Sequence, residues 1–338
     1  MKAIVLRETG GPEVLRLETV PDPEPRAGEV VVRVRAAALN RRDAWIRMGR
    51  YAGIRLPVIL GSDVAGEITA LGEGVTGWTV GAPVIVDPSL EWGEGERVPG
   101  PRWRILGMPE DGTYAEYVRV PAANLYPKPP ALSWEEAAAL PLAGVTAFRA
   151  LVTRGEVREG ETVVVTGIGG GVATMALAIA RRHGARVQVT TGNPAKLARA
   201  RELGAEGGAL YTDSDWVATL RTLAGGEGPD LAIDGAGGET FDRLLDLLRP
   251  GGRLVSYGAT LGPAPRTEVR RLFWKQLDLR GSTMGSPRDF AGLVRLFSAS
   301  DPAAPRPVID AVFPLVEAAA AHRRMEAGEQ FGKIVLVP

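Results

Sequence analysis

Gly167, Gly170 and Ala173 recur at every third place in Thr166-Gly167-Ile168-Gly169-Gly170-Gly171-Val172-Ala173. Glycine takes positive φ and carries no Cβ, so such a turn lets a diphosphate reach the first backbone N–H groups of a following helix, whose N-terminus favours an anion. Read as Gly-x-Gly-x-x-Gly from Gly167, the third slot falls on Val172. Read as Gly-x-x-Gly-x-x-Ala, all three slots are filled, with Ala173 serving close helix–strand packing. A glycine run alone also fits a plain tight turn, so the context decides. Thr162 to Val165 supplies a β-branched strand before the turn, Met175 to Ala180 an apolar helix after it, and Gly184 stands where a helix C′ residue would. A second strand at Arg186 to Thr191 closes the unit about 30 residues after it opens, as a dinucleotide site requires.

The end of that second strand bears on which dinucleotide. A site that prefers NAD places an Asp or Glu there, about 20 residues beyond the glycines, to accept hydrogen bonds from the ribose 2′-hydroxyl. The chain reads Val189-Thr190-Thr191-Gly192-Asn193-Pro194-Ala195-Lys196, with no carboxylate before Glu202. Lys196, opening the next helix beside Gly192 and Asn193, is placed to meet a 2′-phosphate, which favours NADP(H). The alternative is an ordinary solvated helix lysine, in a chain whose only lysines are Lys2, Lys128, Lys196, Lys275 and Lys333.

A doubly wound parallel sheet is the scaffold that positions such a turn. From Ser133-Trp134-Glu135-Glu136, a capping box, strands and helices alternate: Val163–Val165, Val187–Thr190, Leu210–Tyr211, Leu231–Asp234, Arg253–Tyr257 and Leu277–Gly281 are the expected strands. Before it, Ala3–Leu6, Val14–Val20, Val30–Ala38, Val64–Leu71 and Pro83–Val86 predict a small antiparallel β domain. Glu91 to Arg102 keeps no periodicity and reads as a surface lobe or mobile loop. Val308–Phe313 and Lys333–Val337 read as strands returning to the first domain. The expected fold class is α/β, with 1–125 as the β domain, 126–284 as the Rossmann domain and 285–338 as the returning segment; 338 residues at 45% hydrophobic content suit two cores.

Forty basic against 40 acidic residues give no electrostatic footprint for nucleic acid or an anionic membrane. No apolar run reaches the roughly 18 to 20 residues of a membrane span, and Met1 to Leu6 reads as a strand rather than a signal peptide, so a cytoplasmic location is expected. With no Cys, disulfides, thiolate catalysis and Cys-based zinc sites are excluded.

The ordered set Leu39-Asn40-x-x-Asp43, Leu60-Gly61-Ser62-Asp63-x-Ala65-Gly66, Gly112-Thr113-Tyr114-Ala115-Glu116-Tyr117, Ala139-Leu140-Pro141 with Thr146-Ala147, the glycine turn, Pro250-Gly251-Gly252-Arg253 and Gly332-Lys333-Ile334-Val335 resembles the medium-chain dehydrogenase/reductase superfamily, in particular its zinc-independent quinone oxidoreductase-like members. The resemblance implies a GroES-like β domain, a Rossmann domain with NADP(H) in a cleft, and a homodimer paired through the last Rossmann strand. In the zinc enzymes a Cys stands at the place of Asn40, a His at that of Ser62 and another Cys near Leu142. None is present, and His183 and His322, on expected helices, read as solvated or dipole-facing residues rather than ligands. No metal is expected.

The resemblance places Asn40, Trp45, Tyr51 and Ser62 around the nicotinamide. Without a Lewis acid to acidify an alcohol, reduction of a small-molecule electrophile, a quinone or an activated alkene, is the natural direction. Asn40 and Ser62 would donate to the developing oxyanion, Tyr51 would donate or relay a proton and Trp45 would form an apolar wall. Equally open are Asn40 and Asp43 as pins of a loop, and Tyr51 as a surface aromatic. By the same resemblance Thr146 and Val172 lie near the cofactor, Gly170 and Gly171 on the diphosphate and Tyr211 beside the 2′-phosphate. Tyr257, Gly258 and Ser282 stand at strand ends where Rossmann sheets bind ligands. Phe273 and Lys275 are weaker candidates, against packing and a solvated face. An alcohol dehydrogenase with a metal-free proton relay and an NADPH-binding protein without turnover are the alternative functions.

Overall fold

Short β-branched runs at the start of the chain become β1 (Lys2–Leu6), β2 (Arg16–Thr19) and β3 (Glu29–Ala38). In β3, Arg33 and Arg35 face out while Val32 and Val34 face in, the period of a half-buried strand. A computed structural model carries residues 1–299, 301 and 304–338 as the described chain. After α1 (Arg41–Arg47) follow β4 (Val58–Ile59), β5 (Asp63–Leu71), β6 (Pro83–Val86), β7 (Ser89–Leu90), β8 (Arg104–Ile105), β9 (Tyr117–Pro121) and β10 (Leu125–Pro127). The helices α2 (Trp134–Ala139) and α3 (Pro141–Phe148) come next; Ser133 caps α2, its Oγ accepting from Glu136 N while its own N–H donates to Glu136 Oε2.

The expected Rossmann elements are β11 (Thr162–Val165), α4 (Gly171–Arg182), β12 (Arg186–Thr191), α5 (Pro194–Glu202), β13 (Gly207–Leu210), α6 (Trp216–Leu223), β14 (Leu231–Asp234), α7 (Gly238–Leu247), β15 (Arg253–Ser256), α8 (Val269–Trp274) and β16 (Asp278–Gly281). The chain closes with α9 (Pro287–Phe297), β17 (Ile309–Pro314), α10 (Ala318–Glu326) and β18 (Lys333–Val337).

Contact density gives two compact units, Met1–Val145 with Gly285–Pro338, and Thr146–Met284. The division falls later than residue 125 because α2 packs on β3, β5 and β18. In the first unit the principal sheet runs β10-β6-β5-β3-β18-β17, with β9 also paired to β3. β3 pairs antiparallel with β9 over Glu29–Arg33 and with β18 at Ala37 and Ala38. The strands before residue 128 pair antiparallel throughout, as expected, while the returning pair β17 and β18 is parallel. Its core gathers Ile4, Val32, Ile46, Ile68, Tyr114 and Ile334 among others. The segment from Glu91 to Arg102 is irregular but anchored: Trp92 is buried, stands edge-on to Trp103 at 5.8 Å and donates its Nε1 to Gly95 O.

The second unit is a six-stranded parallel sheet in the order β13-β12-β11-β14-β15-β16. The direction of winding reverses between β11 and β14, and the glycine turn leaves β11 at that switch point. Two expected strands are shifted: Pro12–Val14 forms a 3₁₀ turn ahead of β2, and Tyr211 lies beyond the end of β13.

Candidate active site and dinucleotide cradle

In the second unit, Gly167 has φ +67° and nothing within 4 Å of where its Cβ would stand, and Gly169 has φ +112°. Gly170 is the N-cap of α4 and has no side chain with which to cap the first N–H groups of the helix. The turn is held from below: Gly167 N donates to Thr190 Oγ1, Ile168 N to Thr190 O, and Thr166 Oγ1 to Asp234 Oδ1 at 2.7 Å. Asp234 also accepts from Ala236 N and Gly237 N; burial raises its pKa, and these three bonds oppose the rise. Gly171 and Val172 form the first turn of α4, where a diphosphate would meet their N–H groups. These residues fit a dinucleotide.

Further along the strand ends, Asn193 caps α5 through its Oδ1 and Ala195 N, which fixes Lys196 in the first turn. Gly192 lies under the Tyr211 phenol, for a Cβ there would stand 2.6 Å from its OH; Tyr211 itself is 47% exposed. Beside Tyr211 opens a hollow of about 410 Å³, lined also by Asp213, Glu239 and Arg243. The Tyr257 ring lies against Gly235, and burial together with Asp234 pushes its phenol pKa up. Gly258 follows it in the same loop. Ser282 Oγ, just past β16, is buried without a hydrogen-bond partner. Thr146 is buried on α3. Lys275 is not a solvated lysine: its ammonium donates to Leu245 O, Asp246 O and Leu248 O and so caps α7.

In the first unit, Asn40, Asp63 and Lys333 form one buried joint. Lys333, 3% exposed, spends its three ammonium hydrogens on Leu39 O at 2.7 Å, Asn40 Oδ1 at 2.7 Å and Asp63 Oδ2 at 2.8 Å. Asp63 Oδ2 also accepts Asn40 Nδ2, and Asp63 Oδ1 accepts Leu142 N. The joint ties together the starts of α1, β5, α3 and β18. Asn40 N donates to Asp43 Oδ2, which also accepts the Tyr114 hydroxyl at 2.9 Å. Burial raises the Asp43 pKa against the pull of Arg42 and these bonds.

Ser62 is positioned by Gly61, whose φ of +97° brings the backbone so close to Thr113 and Tyr114 that a Cβ would overlap them. Ser62 Oγ donates to Leu106 O at 2.7 Å and accepts from Arg42 Nη1 at 2.8 Å. Arg42 comes from α1 and its guanidinium lies 5.3 Å from the centre of the Tyr51 ring. Tyr51 and Trp45 are both half-buried. Asn40 and Ser62, expected as donors to a substrate oxyanion, thus have hydrogens committed inside the protein, and Arg42, Asp63 and Lys333 join them unforeseen. Asp63 and Lys333 lay within the quoted motifs; nothing distinguished Arg42 from a surface arginine. His322 is neither solvated nor facing a helix end: it is fully buried, edge-on to Tyr114 at 6.0 Å.

A phosphate-cradling parallel sheet joined in one chain to a β unit with a buried polar site defines a dinucleotide-dependent oxidoreductase class. Residues 26–130 match the alcohol dehydrogenase GroES-like domain and residues 171–299 the zinc-binding dehydrogenase domain. The chain is 37% identical to a zinc-type alcohol dehydrogenase-like protein, YogA, of Leptosphaeria maculans, over 95% of this chain and 94% of that one. It is 31% identical to the quinone oxidoreductase of Rattus norvegicus over 100% and 98% of the two chains. Among solved structures, an NAD-dependent alcohol dehydrogenase superposes with a TM-score of 0.95 at 41% identity, each chain covered in full. A mycobacterial protein solved in complex with NADPH gives 0.85 at 30% identity, again over both whole chains. The chain belongs to the medium-chain dehydrogenase/reductase superfamily.

The zinc in those descriptions has no fitting donor set here. Asn40 Oδ1 faces an ammonium, Ser62 Oγ faces a guanidinium, and Leu142, whose side chain holds no metal-binding atom, donates its backbone N–H to Asp63. Among the described residues no group of three or more His, Cys, Asp or Glu is arranged to hold a metal.

Proposed function

We propose that the protein is an NADPH-dependent reductase that delivers hydride to a quinone, or to an activated alkene or carbonyl, without zinc. The observation that carries this reading is the cation pair Arg42 and Lys333 set on the two side chains, Ser62 and Asn40, that stand at ligand positions. A zinc ion there would meet two fixed positive charges and no thiolate or imidazole. Bound in the cradle, a reduced nicotinamide supplies the hydride. The protein's part is to orient the acceptor, to stabilise the oxyanion that forms and to return a proton. Trp45 offers an apolar wall and Tyr51, beside the Arg42 guanidinium, a phenol for proton return. Lys196 and Tyr211 favour NADPH at the adenosine end. The NAD-dependent solved relative and the carboxylates Asp213 and Glu239 in the hollow beside Tyr211 support a second reading, NADH as the cofactor. Two copies are proposed to pair through β16.

The test is NADPH and NADH oxidation followed against quinones, enals, enones and enoyl-CoA esters, with Lys196→Ala alongside. A charge-assisted contact to phosphate contributes about 1.5–3 kcal/mol, so Lys196→Ala should weaken NADPH about tenfold or more and leave NADH nearly unchanged. Equal losses for both cofactors would sink the assignment of NADPH.

A further inference from the structure

Arg42 is 7% exposed. A guanidinium carries five N–H donors, and at such burial each normally finds an acceptor. Here both internal hydrogen bonds are made through Nη1, to Ser62 Oγ at 2.8 Å and Leu106 O at 3.0 Å. Nε is buried with no partner, and Nη2 donates to none of the described residues. Nη1 also stands 3.9 Å from Asp43 Oδ1, a carboxylate oxygen that accepts no hydrogen bond. The guanidinium carbon stands over the Tyr51 ring, 5.3 Å from its centroid, a contact that supplies no hydrogen-bonding oxygen to Nε or Nη2. Leaving such donors unmade is costly for the folded protein. The uncommitted Nε and Nη2 hydrogens lie along one edge of a planar fork, the geometry that matches an oxyanion with two parallel bonds. Ser62, whose hydroxyl already donates its hydrogen bond to Leu106 O, holds the fork rather than competing for the ligand.

We infer that Arg42 is the electrophile of the reaction, its Nε–Nη2 edge receiving the substrate oxygen that becomes negative as hydride is added. This rests on the reductase reading given above. Hydride added at the β-carbon of an enone forms a C–H bond and pushes the alkene electron pair through the conjugated system onto the carbonyl oxygen. The Arg42 edge stabilises that enolate. A proton from Tyr51 or from water then forms the second C–H bond at the α-carbon, and NADPH has become NADP⁺. For a quinone the same edge meets the oxygen of the hydroquinone anion.

Two readouts test this in the intact protein. Arg42→Met should lower kcat about 100-fold or more, as loss of an oxyanion donor does, with NADPH affinity by fluorescence titration unchanged. Arg42→Lys, which keeps the charge and loses the fork, should fall between it and wild type and serves if the methionine variant does not fold. The second readout needs no turnover: 4-nitrophenol, whose ionisation is seen by absorbance, is bound to NADP⁺-saturated protein. Wild type should shift its ionisation about 1 to 3 pH units toward acid, and Arg42→Met should abolish the shift. Full kcat in both variants, or a shift that survives Arg42→Met, would overturn the inference and leave the reductase reading standing. A wild type that shifts 4-nitrophenol yet reduces no acceptor would overturn the reductase reading instead.

Discussion

At the residue scale the decisive feature is the use of cations as internal fasteners. Lys333 joins Asn40 to Asp63 from a strand at the far end of the sequence, with no acceptor left over and no hydrogen left unused. Removing one partner of a buried pair leaves the other uncompensated, which costs about 3–5 kcal/mol. Lys333→Met should therefore lower the unfolding free energy by that order, read as a lower urea midpoint at unchanged slope, and a variant as stable as wild type would show that the joint is not holding the unit. Little of this was legible beforehand. Gly167, Gly170 and Ala173 could be read because a glycine turn between a strand and a helix is a local pattern. Lys333 and Arg42 act over long stretches of chain, and their types carry no spacing signal. The role of Lys275 is hidden for the same reason, since its acceptors stand at the end of α7, about 30 residues earlier.

At the scale of elements, the sequence showed most strands because β-branched runs bounded by turn residues persist in the folded chain. β13 was placed too late because it opens with Gly207 and Gly208, which resemble a turn. The structure needs glycine at 208, where a Cβ would stand 2.3 Å from Val189 O of the neighbouring strand. The helix α10 carries an unforeseen consequence of its own. Its His322 is buried neutral, with burial and the nearby Arg47 guanidinium pushing its pKa down to about 3. The unfolded chain takes up that proton near pH 6.5, so the unfolded state binds more protons between those values and stability falls as pH falls. Facing His322 are Tyr114 and Arg47, the latter paired with Glu326. His322→Leu should flatten the loss of stability from pH 6.5 down to about 4.5, read from urea midpoints at successive pH values. An unchanged slope would place the acid sensitivity elsewhere.

At the scale of the whole molecule, β16 closes the six-stranded sheet and pairs only with β15 among the described strands. An open edge exposes a row of backbone donors and acceptors. Just before it, Trp274 is 78% exposed and Phe273 52%, their rings in tilted contact at 5.6 Å. Packing within the chain does not account for Phe273, whose ring is largely uncovered. Light scattering at low micromolar concentration should report about twice the chain mass, and Leu279→Glu combined with Trp274→Glu should bring it to one chain. A monomeric wild type would mean that Asp278 and Arg280 guard a bare edge. A medium-chain dehydrogenase/reductase fold is proposed to work here with Arg42 and Lys333 on Ser62 and Asn40, the side chains that the family resemblance puts at the places of zinc ligands. The most direct measurement is the rate of NADPH oxidation with the best quinone or enone acceptor, taken before and after exhaustive chelation, with zinc quantified in the same samples. Zinc well below one per chain and an unchanged rate are expected. A rate lost on chelation and restored by one equivalent of zinc would contradict it.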